Sequence, residues 1–282
     1  MVKLSYTDAL QRAFLMLQNT QQPLDTARYL LWEMLHWTAT QFSLHGHELM
    51  SPAQQEQYFA YIKQAQTGYP PQYILGQAWF YGHQFQVNAA TLIPRQDSES
   101  MIAQILADDV NDQSVLELGT GSGALIITLA LKAQWQKIIA TDISSSALRV
   151  AQNNIDKYQV PVQLRQGDLW APVRGDKFDV ILFNPPYISA QEIQYMDRSV
   201  IEYEPHQALF ADADGLEFYQ RIFADFASFL NPGGRLYLEF GFHQQAQISK
   251  LFAKQQADWQ LDFFQDLAGQ PRFLRIQRKE VK

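Results

Sequence analysis

Val115-Leu116-Glu117-Leu118-Gly119-Thr120-Gly121-Ser122-Gly123 leads straight into Ala124-Leu125-Ile126-Ile127-Thr128-Leu129-Ala130. An apolar run of strand length gives way to three closely spaced glycines and then to a second apolar run, so the stretch reads as strand, tight turn and helix. Glycines at such a turn let the backbone approach a ligand closely, and the amides at the helix start point toward it. The turn alone does not say which ligand, because a nucleotide-binding oxidoreductase can use a related one.

Outward from this stretch the period keeps switching. Strands are expected over 114–118, 137–141, 162–166, 178–183 and 234–240, and helices over 124–133, 145–158, 216–230 and 244–256. The runs 260–265 and 272–277 suit closing antiparallel strands. Alternation of this kind predicts a mostly parallel sheet with helices on both faces, its ligands beyond the carboxyl ends of the strands.

Three acidic residues fall at those ends. Asp142 closes the second strand, 19 residues after Gly123, where a carboxylate can accept from both hydroxyls of a ribose. Asp168 closes the third; it can take an adenine amino group while Trp170 covers the ring face. Glu117 lies inside an apolar strand and needs donors, which are expected from the loop around Arg95 unless the cationic part of a ligand stands beside it.

The first part of the chain is helical in pattern. Ser5 with Asp8 makes a capping box before Leu10, Phe14 and Leu17, and Leu24, Ala27, Leu30, Leu31 and Leu35 carry a second helix. Ser51, Pro52 and Gln54 start a third. Gly68, Pro70, Pro71 and Gly76 break the pattern, and 78–87, apolar around Gly82, reads as a hairpin. The expected division is therefore 1–75 helical, 76–94 linking hairpin and 95–282 catalytic.

Composition narrows the class. A chain of 282 residues with 47% hydrophobic residues can bury a substantial core. Its apolar stretches fall short of the roughly 20 residues a membrane helix needs. The N-terminus lacks a secretory pattern, and the absence of cysteine removes disulfides and thiolate metal sites, so a cytoplasmic protein is expected. A formal charge of −7 argues against direct nucleic-acid binding. The six histidines form no metal-ligand series; His45 and His47 flank Gly46 in an expected break between helices.

Asn184-Pro185-Pro186-Tyr187 follows the fourth strand. The prolines remove two amide donors and stiffen the turn, which leaves the Asn184 side-chain oxygen and the Pro185 carbonyl as acceptors for an NH2 group. A primary amide nitrogen is a poor nucleophile, its lone pair being delocalised. Holding its hydrogens on fixed acceptors favours rehybridisation and aims the lone pair. Tyr187 would offer a flat surface to the substrate.

Asn184 to Tyr187 resemble the signature of amino-group methyltransferases, and the chain is similar to the HemK/PrmC family of protein-glutamine N5-methyltransferases. The likeness also rests on Pro23-Leu24-Asp25 with Ala27-Arg28, Gln72 to Gly76, Phe80-Tyr81-Gly82, Ile93-Pro94-Arg95 with Asp97 and Glu99 before the first catalytic-domain helix, Glu204-Pro205, Asp214-Gly215-Leu216, and Glu239-Phe240-Gly241 with Gln244. Gln96 and Ser98 depart from the family's usual proline and threonine.

The resemblance implies an α/β fold: a Rossmann-like class I methyltransferase domain, a small N-terminal helical bundle that engages the substrate, and a linking β-hairpin. It implies S-adenosylmethionine held by Glu117, Gly119, Thr120, Gly121, Ser122, Gly123, Asp142, Asp168, Trp170 and Asn184. The reactive glutamine would be held by Asn184, Pro185, Pro186 and Tyr187, with Asn184, Pro185 and Tyr187 as the catalytic set. No metal is expected. The implied partners are peptide-chain release factors, methylated at the glutamine of their Gly-Gly-Gln motif by a monomeric enzyme. The competing readings are a ribosomal-protein glutamine methyltransferase, a nucleic-acid adenine N6-methyltransferase and a non-catalytic module.

Overall fold

The computed structural model describes residues 3–20 and 22–279. The chain runs α1 (Tyr6–Leu17), α2 (Asp25–Leu35), α3 (Ala39–His45), α4 (Pro52–Gln66), α5 (Pro71–Leu75), β1 (Gln77–Phe80), β2 (His83–Gln86), α6 (Asp97–Ala107), β3 (Gln113–Leu118), α7 (Ala124–Lys132), β4 (Trp135–Asp142), α8 (Ser145–Tyr158) and β5 (Gln163–Gln166). It continues through β6 (Phe178–Phe183), α9 (Arg198–Tyr203), the four-residue α10 (Asp212–Gly215), α11 (Glu217–Asp225), β7 (Leu230–Glu239), α12 (Gln245–Phe252), β8 (Trp259–Gln265) and β9 (Pro271–Arg278). It divides into two compact units. One holds the residues up to Gln77 together with Asp197–Tyr203; the other holds Ala78–Met196 and the residues from Glu204 onward.

In the helical unit, Ser5 and Asp8 cap α1 reciprocally and Ser51 and Gln54 do the same for α4, so orphan amides at both helix starts are satisfied by their own sequence neighbours. Leu10, Leu17, Leu30, Leu31, Tyr58 and Ile62 form its buried centre, where the Tyr58 hydroxyl donates to the Ala27 carbonyl at 2.9 Å. Burying a phenol without a partner would be costly, and this bond removes the cost. Tyr203 joins the same unit: its ring meets Tyr69 edge-on at 5.1 Å and its hydroxyl donates to the Thr67 carbonyl.

Two helices here escaped the sequence pattern. The expected break around His45 is the end of α3, capped by Thr38 and Gln41. Pro70 and Pro71 do not end helical structure; Pro71 occupies the first turn of the five-residue α5, a position where its missing N–H costs nothing.

The second unit is built on a seven-stranded sheet of order β5-β4-β3-β6-β7-β9-β8, parallel from β5 to β7 and antiparallel through β9 and β8. Side chains alternate across it. Leu116 and Leu118 of β3 and Leu236 and Leu238 of β7 join the core under α11 and α12; Val115 and Tyr237 join the core under α6, α7 and α8. The same alternation assigns Glu117 and Glu239, at the ends of these strands, to the α6 face. Because β4 lies on one side of β3 and β6 on the other, the carboxyl ends diverge around β3 and open a crevice there.

The helix expected over 216–230 is shorter than its pattern. It ends at Asp225, a 3-10 turn covers 226–228, and β7 already begins at Leu230, with a register shift where Asn231 to Gly234 interrupt its pairing with β6. Asp97 and Glu99 lie within the first turn of α6 rather than before it, where their charge suits the helix N-terminus.

The hairpin of β1 and β2 turns through Tyr81 (φ 49°) and Gly82 (φ 77°), both left-handed, the conformation a two-residue hairpin of this twist requires. It is tied to α8 by Asn154, which donates to the carbonyls of Gln86 and Ser122, and by the Tyr158 hydroxyl on Gln84.

Candidate active site

The glycine turn after β3 needs its glycines. Gly119, Gly121 and Gly123 have φ of 61°, 56° and 81°, a region that side chains with a Cβ rarely adopt. At Gly119 a Cβ would also stand 2.8 Å from the Phe183 ring, which fills the space beside the turn from the end of β6. At Gly121 it would meet no protein atom within 4 Å, so this part of the turn faces open space.

Asp142, at the end of β4, accepts from the Gly121 amide at 2.9 Å and from the Ser144 amide at 2.8 Å. It thereby pins the turn to the next strand, and with three amides on its carboxylate it still keeps acceptor capacity for a ligand. Burial raises its pKa; the amides of Ser144, Gly121 and Ile143 oppose the rise. Glu117 is fully buried, and desolvation pushes its carboxyl up to about 8, with Asp142 adding to the rise against donors at Thr120 and Ile126. The expected donors around Arg95 do not serve it. Arg95 instead pairs with the buried Glu204 at 2.6 Å, and the Thr120 hydroxyl, three residues along the turn, satisfies Glu117.

A cavity of about 310 Å³ opens at these strand ends, within the usual range for a small-molecule site. Of the residues expected to hold the cofactor or the glutamine, Glu117, Gly119, Thr120, Gly121, Ser122, Asp142, Asp168, Asn184 and Pro186 line it, and Pro94, Arg95, Ser98 and Pro205 line it as well. Gly123 lies behind the wall, where a Cβ would press on Ile127 and Ala151.

Trp170 does not reach the cavity. The chain turns through a left-handed Leu169 (φ 44°), and Trp170 points inward to stack on Phe229 at 4.4 Å and an interplanar angle of 7°. Leu169 takes the lining position in its place. Asp168 is at the lining but shares its carboxylate with Arg221 of α11, which also pairs with Glu217.

The proline turn also departs from expectation in part. Pro185 is buried and does not line the cavity, so its carbonyl is not displayed there as a second acceptor. Tyr187 packs against the core under α11 and turns its hydroxyl toward Glu239 at 3.4 Å, while its carbonyl accepts from Gln244 at 2.9 Å. It therefore gives no flat face to the cavity.

Asn184 does face the cavity, and its Nδ2 donates to Ser98 Oγ at 3.4 Å. Ser98, from α6, in turn donates to Glu239 at the end of β7. Sequence reasoning gave Ser98, Arg221 and Glu239 no role in the chemistry. Their partners lie 86, 53 and 141 residues away in the chain, so no local pattern could signal them.

A parallel sheet with a glycine turn after one central strand, a carboxylate after the next and an Asn-Pro-Pro-Tyr turn after another defines a methyltransferase of the class I type. Residues 8–76 match the PrmC N-terminal domain and residues 96–209 the methyltransferase small domain. The release factor glutamine methyltransferase of Staphylococcus aureus is 33% identical over 96% of this chain and 98% of its own length, and that of Enterococcus faecalis is 38% identical over 86% and 88%. The fold is shared with a methyltransferase from Pyrococcus furiosus, at a TM-score of 0.52 and 20% identity over 82% of this chain and all of that one. The chain belongs to the release factor glutamine methyltransferase family.

Proposed function

We propose that the chain transfers a methyl group from S-adenosylmethionine to the side-chain amide nitrogen, N5, of the glutamine in the Gly-Gly-Gln motif of peptide-chain release factors. The observation that carries the reading is the orientation of Asn184. Asn184 lines the cavity with Nδ2 donating to Ser98, which leaves Oδ1 as the amide's acceptor, on a turn whose two prolines have no N–H to compete for it.

The residues present fit the cofactor. Two buried carboxylates, Glu117 and Asp142, sit together with raised pKa values and, among the described residues, no cationic side chain hydrogen-bonded to either, an environment that favours a cationic ligand; Gly121 leaves the room for it. Asp142 would hold the ribose hydroxyls and the turn 119–123 the methionine end. When bound, S-adenosylmethionine supplies an electrophilic methyl on a sulfonium.

The chain's own groups do the positioning. Asn184 Oδ1 accepts an N–H of the glutamine amide, which twists the NH2 out of conjugation and directs the lone pair into the cavity. The fixed carbonyl dipole also stabilises positive charge growing at nitrogen. Release factors would be held by the helical unit, and the acidic balance of the chain supports a protein rather than a nucleic-acid substrate.

The test is incubation of the purified chain and labelled S-adenosylmethionine with release factors and ribosomal proteins, followed by mapping of the methylated residue. Label on the Gly-Gly-Gln glutamine is expected. Label on a ribosomal glutamine or a nucleic-acid base would replace the proposed substrate.

A further inference from the structure

The hydrogen bond that orients Asn184 ends on a carboxylate. From the cavity inward, Asn184 Nδ2 donates to Ser98 Oγ and Ser98 Oγ donates to Glu239 Oε2. Tyr187 donates to Oε1 at 3.4 Å, and Tyr219 donates to the Glu239 carbonyl at 2.8 Å. Glu239 and Ser98 are each only 1% exposed, so solvent does not interrupt the chain.

The direction of such a relay follows from what each group can do. An ionised carboxylate only accepts, so the Ser98 hydroxyl must donate to it. The Ser98 oxygen then presents a lone pair to Asn184, which answers with Nδ2 and leaves Oδ1 for the cavity. If Glu239 becomes a donor, the order can reverse: the hydroxyl turns to Asn184 Oδ1, and the amide presents its own NH2 to the substrate NH2. Two donors then face each other, and the site loses its acceptor.

We propose that Glu239 is a positioning residue that acts through Ser98 to fix which end of the Asn184 amide meets the substrate. The proposal rests on the methyl-transfer reading only for its kinetic arm. Glu239 is charged or neutral according to its surroundings: desolvation raises its carboxyl to about 7, Asp97 on α6 adds to the rise, and Ser98, Arg272 on β9 and Tyr187 oppose it. Arg272 is itself shared between Asp97 and Asp266, and Tyr219 of α11 completes the groups around Glu239. As pH rises through about 7, the relay passes from the reversible to the fixed form.

One arm of the test needs no protein substrate. In the 15N-labelled full chain, the Asn184 side-chain NH2 resonance, assigned by its loss in Asn184→Asp, should move with an inflection near pH 7 and become static in Glu239→Gln. A wild-type resonance that ignores pH across this range overturns the proposal. In the second arm, single-turnover methyl transfer to a release factor at saturating cofactor is measured for Glu239→Gln, Ser98→Ala and the double variant. Each single change should lower the rate at pH 8 about tenfold to a hundredfold, the scale seen when a partner behind an active group is removed. Cofactor affinity and KM should change little, and the double variant should be no slower than the worse single one. Additive losses, or a wild-type rate and pH profile in Glu239→Gln, would overturn it. Ser98→Ala leaves the carboxylate in place and reads the relay even if Glu239→Gln is poorly folded. Failure of wild type to methylate any release factor would sink the substrate reading and leave the resonance arm to decide this one.

Discussion

The two turns that make the site solve opposite problems with opposite residues. After β3, glycines remove side chains, so that backbone amides and a carboxylate can close around a ligand; Gly119, Gly121 and Gly123 are all left-handed. After β6, prolines remove amides, so that a single side-chain acceptor stands without competition. The first turn is held by a direct bond from the Gly121 amide to Asp142, whereas the second is held through Ser98 and Glu239. A ligand gripped by many backbone groups needs closeness; a reacting nitrogen needs direction. The difference predicts that damage to the glycine turn shows in cofactor binding and damage to the proline turn shows in the rate after binding.

Asn184→Ala should break the comparison most visibly. Single-turnover methyl transfer at saturating substrates is expected to fall on the order of a hundredfold, about 3 kcal/mol, the scale of losing one preorganised partner. Cofactor affinity should stay within a few-fold. Near-normal turnover in a folded protein would remove Asn184 from the mechanism.

Asp142→Ala is the counterpart on the other turn. It removes the acceptor for Gly121 and Ser144 as well as the proposed ribose contact. Calorimetry should show S-adenosylmethionine bound more weakly by about 1.5 to 3 kcal/mol, the usual worth of a hydrogen bond to a charged group. An unchanged affinity would dissolve the distinction between the turns.

Glu117 sharpens it through pH. A carboxyl raised from 4.5 to about 8 in the folded chain binds its proton more tightly folded than unfolded. That contribution to stability is complete below pH 4.5 and is lost as pH rises through about 8. The melting temperature of the cofactor-free protein should therefore fall across this window, and less steeply in Glu117→Gln. Because a cationic ligand favours the ionised form, cofactor affinity should rise with pH over the same range, by at most about tenfold per unit for one proton. A wild-type affinity flat from pH 6 to 8 would separate Glu117 from the cofactor.

The smallest effect is expected at Trp170. Its ring stacks on Phe229 away from the cavity, so Trp170→Phe should alter cofactor affinity by less than about twofold, under roughly 0.5 kcal/mol. A larger loss, with the fold intact, would return Trp170 to the adenine face.

What the sequence made legible was local. Ser5 with Asp8 and Ser51 with Gln54 sit three residues apart and make the bonds their spacing promises. The strands β3 and β6 alternate onto two cores as their apolar patterns require. Trp170 was misplaced because one left-handed residue, Leu169, reverses the direction of the side chain after it, and nothing in a leucine announces a positive φ. The relay behind Asn184 was invisible for another reason. Ser98 and Glu239 come from a helix and a strand that meet only when the sheet closes, and a glutamate at the end of an apolar strand names no partner. Residues 188–215, a series of short turns and one-turn helices, carry no period long enough to read.

The seven residues Asp197–Tyr203 have a consequence for how such a protein can be taken apart. They pack with the helical unit although they belong, in chain order, to the catalytic half, so the polypeptide passes between the units at 77/78, 196/197 and 203/204. A cut at the first crossing would not release a finished catalytic fragment. It would strip Tyr203 of Tyr69 and Thr67 and leave α9, which begins at Arg198 well beyond the proline turn, on the catalytic side of the cut. Exchange of the helical unit between relatives, in the laboratory or in descent, must carry this helix along or repair the wound it leaves.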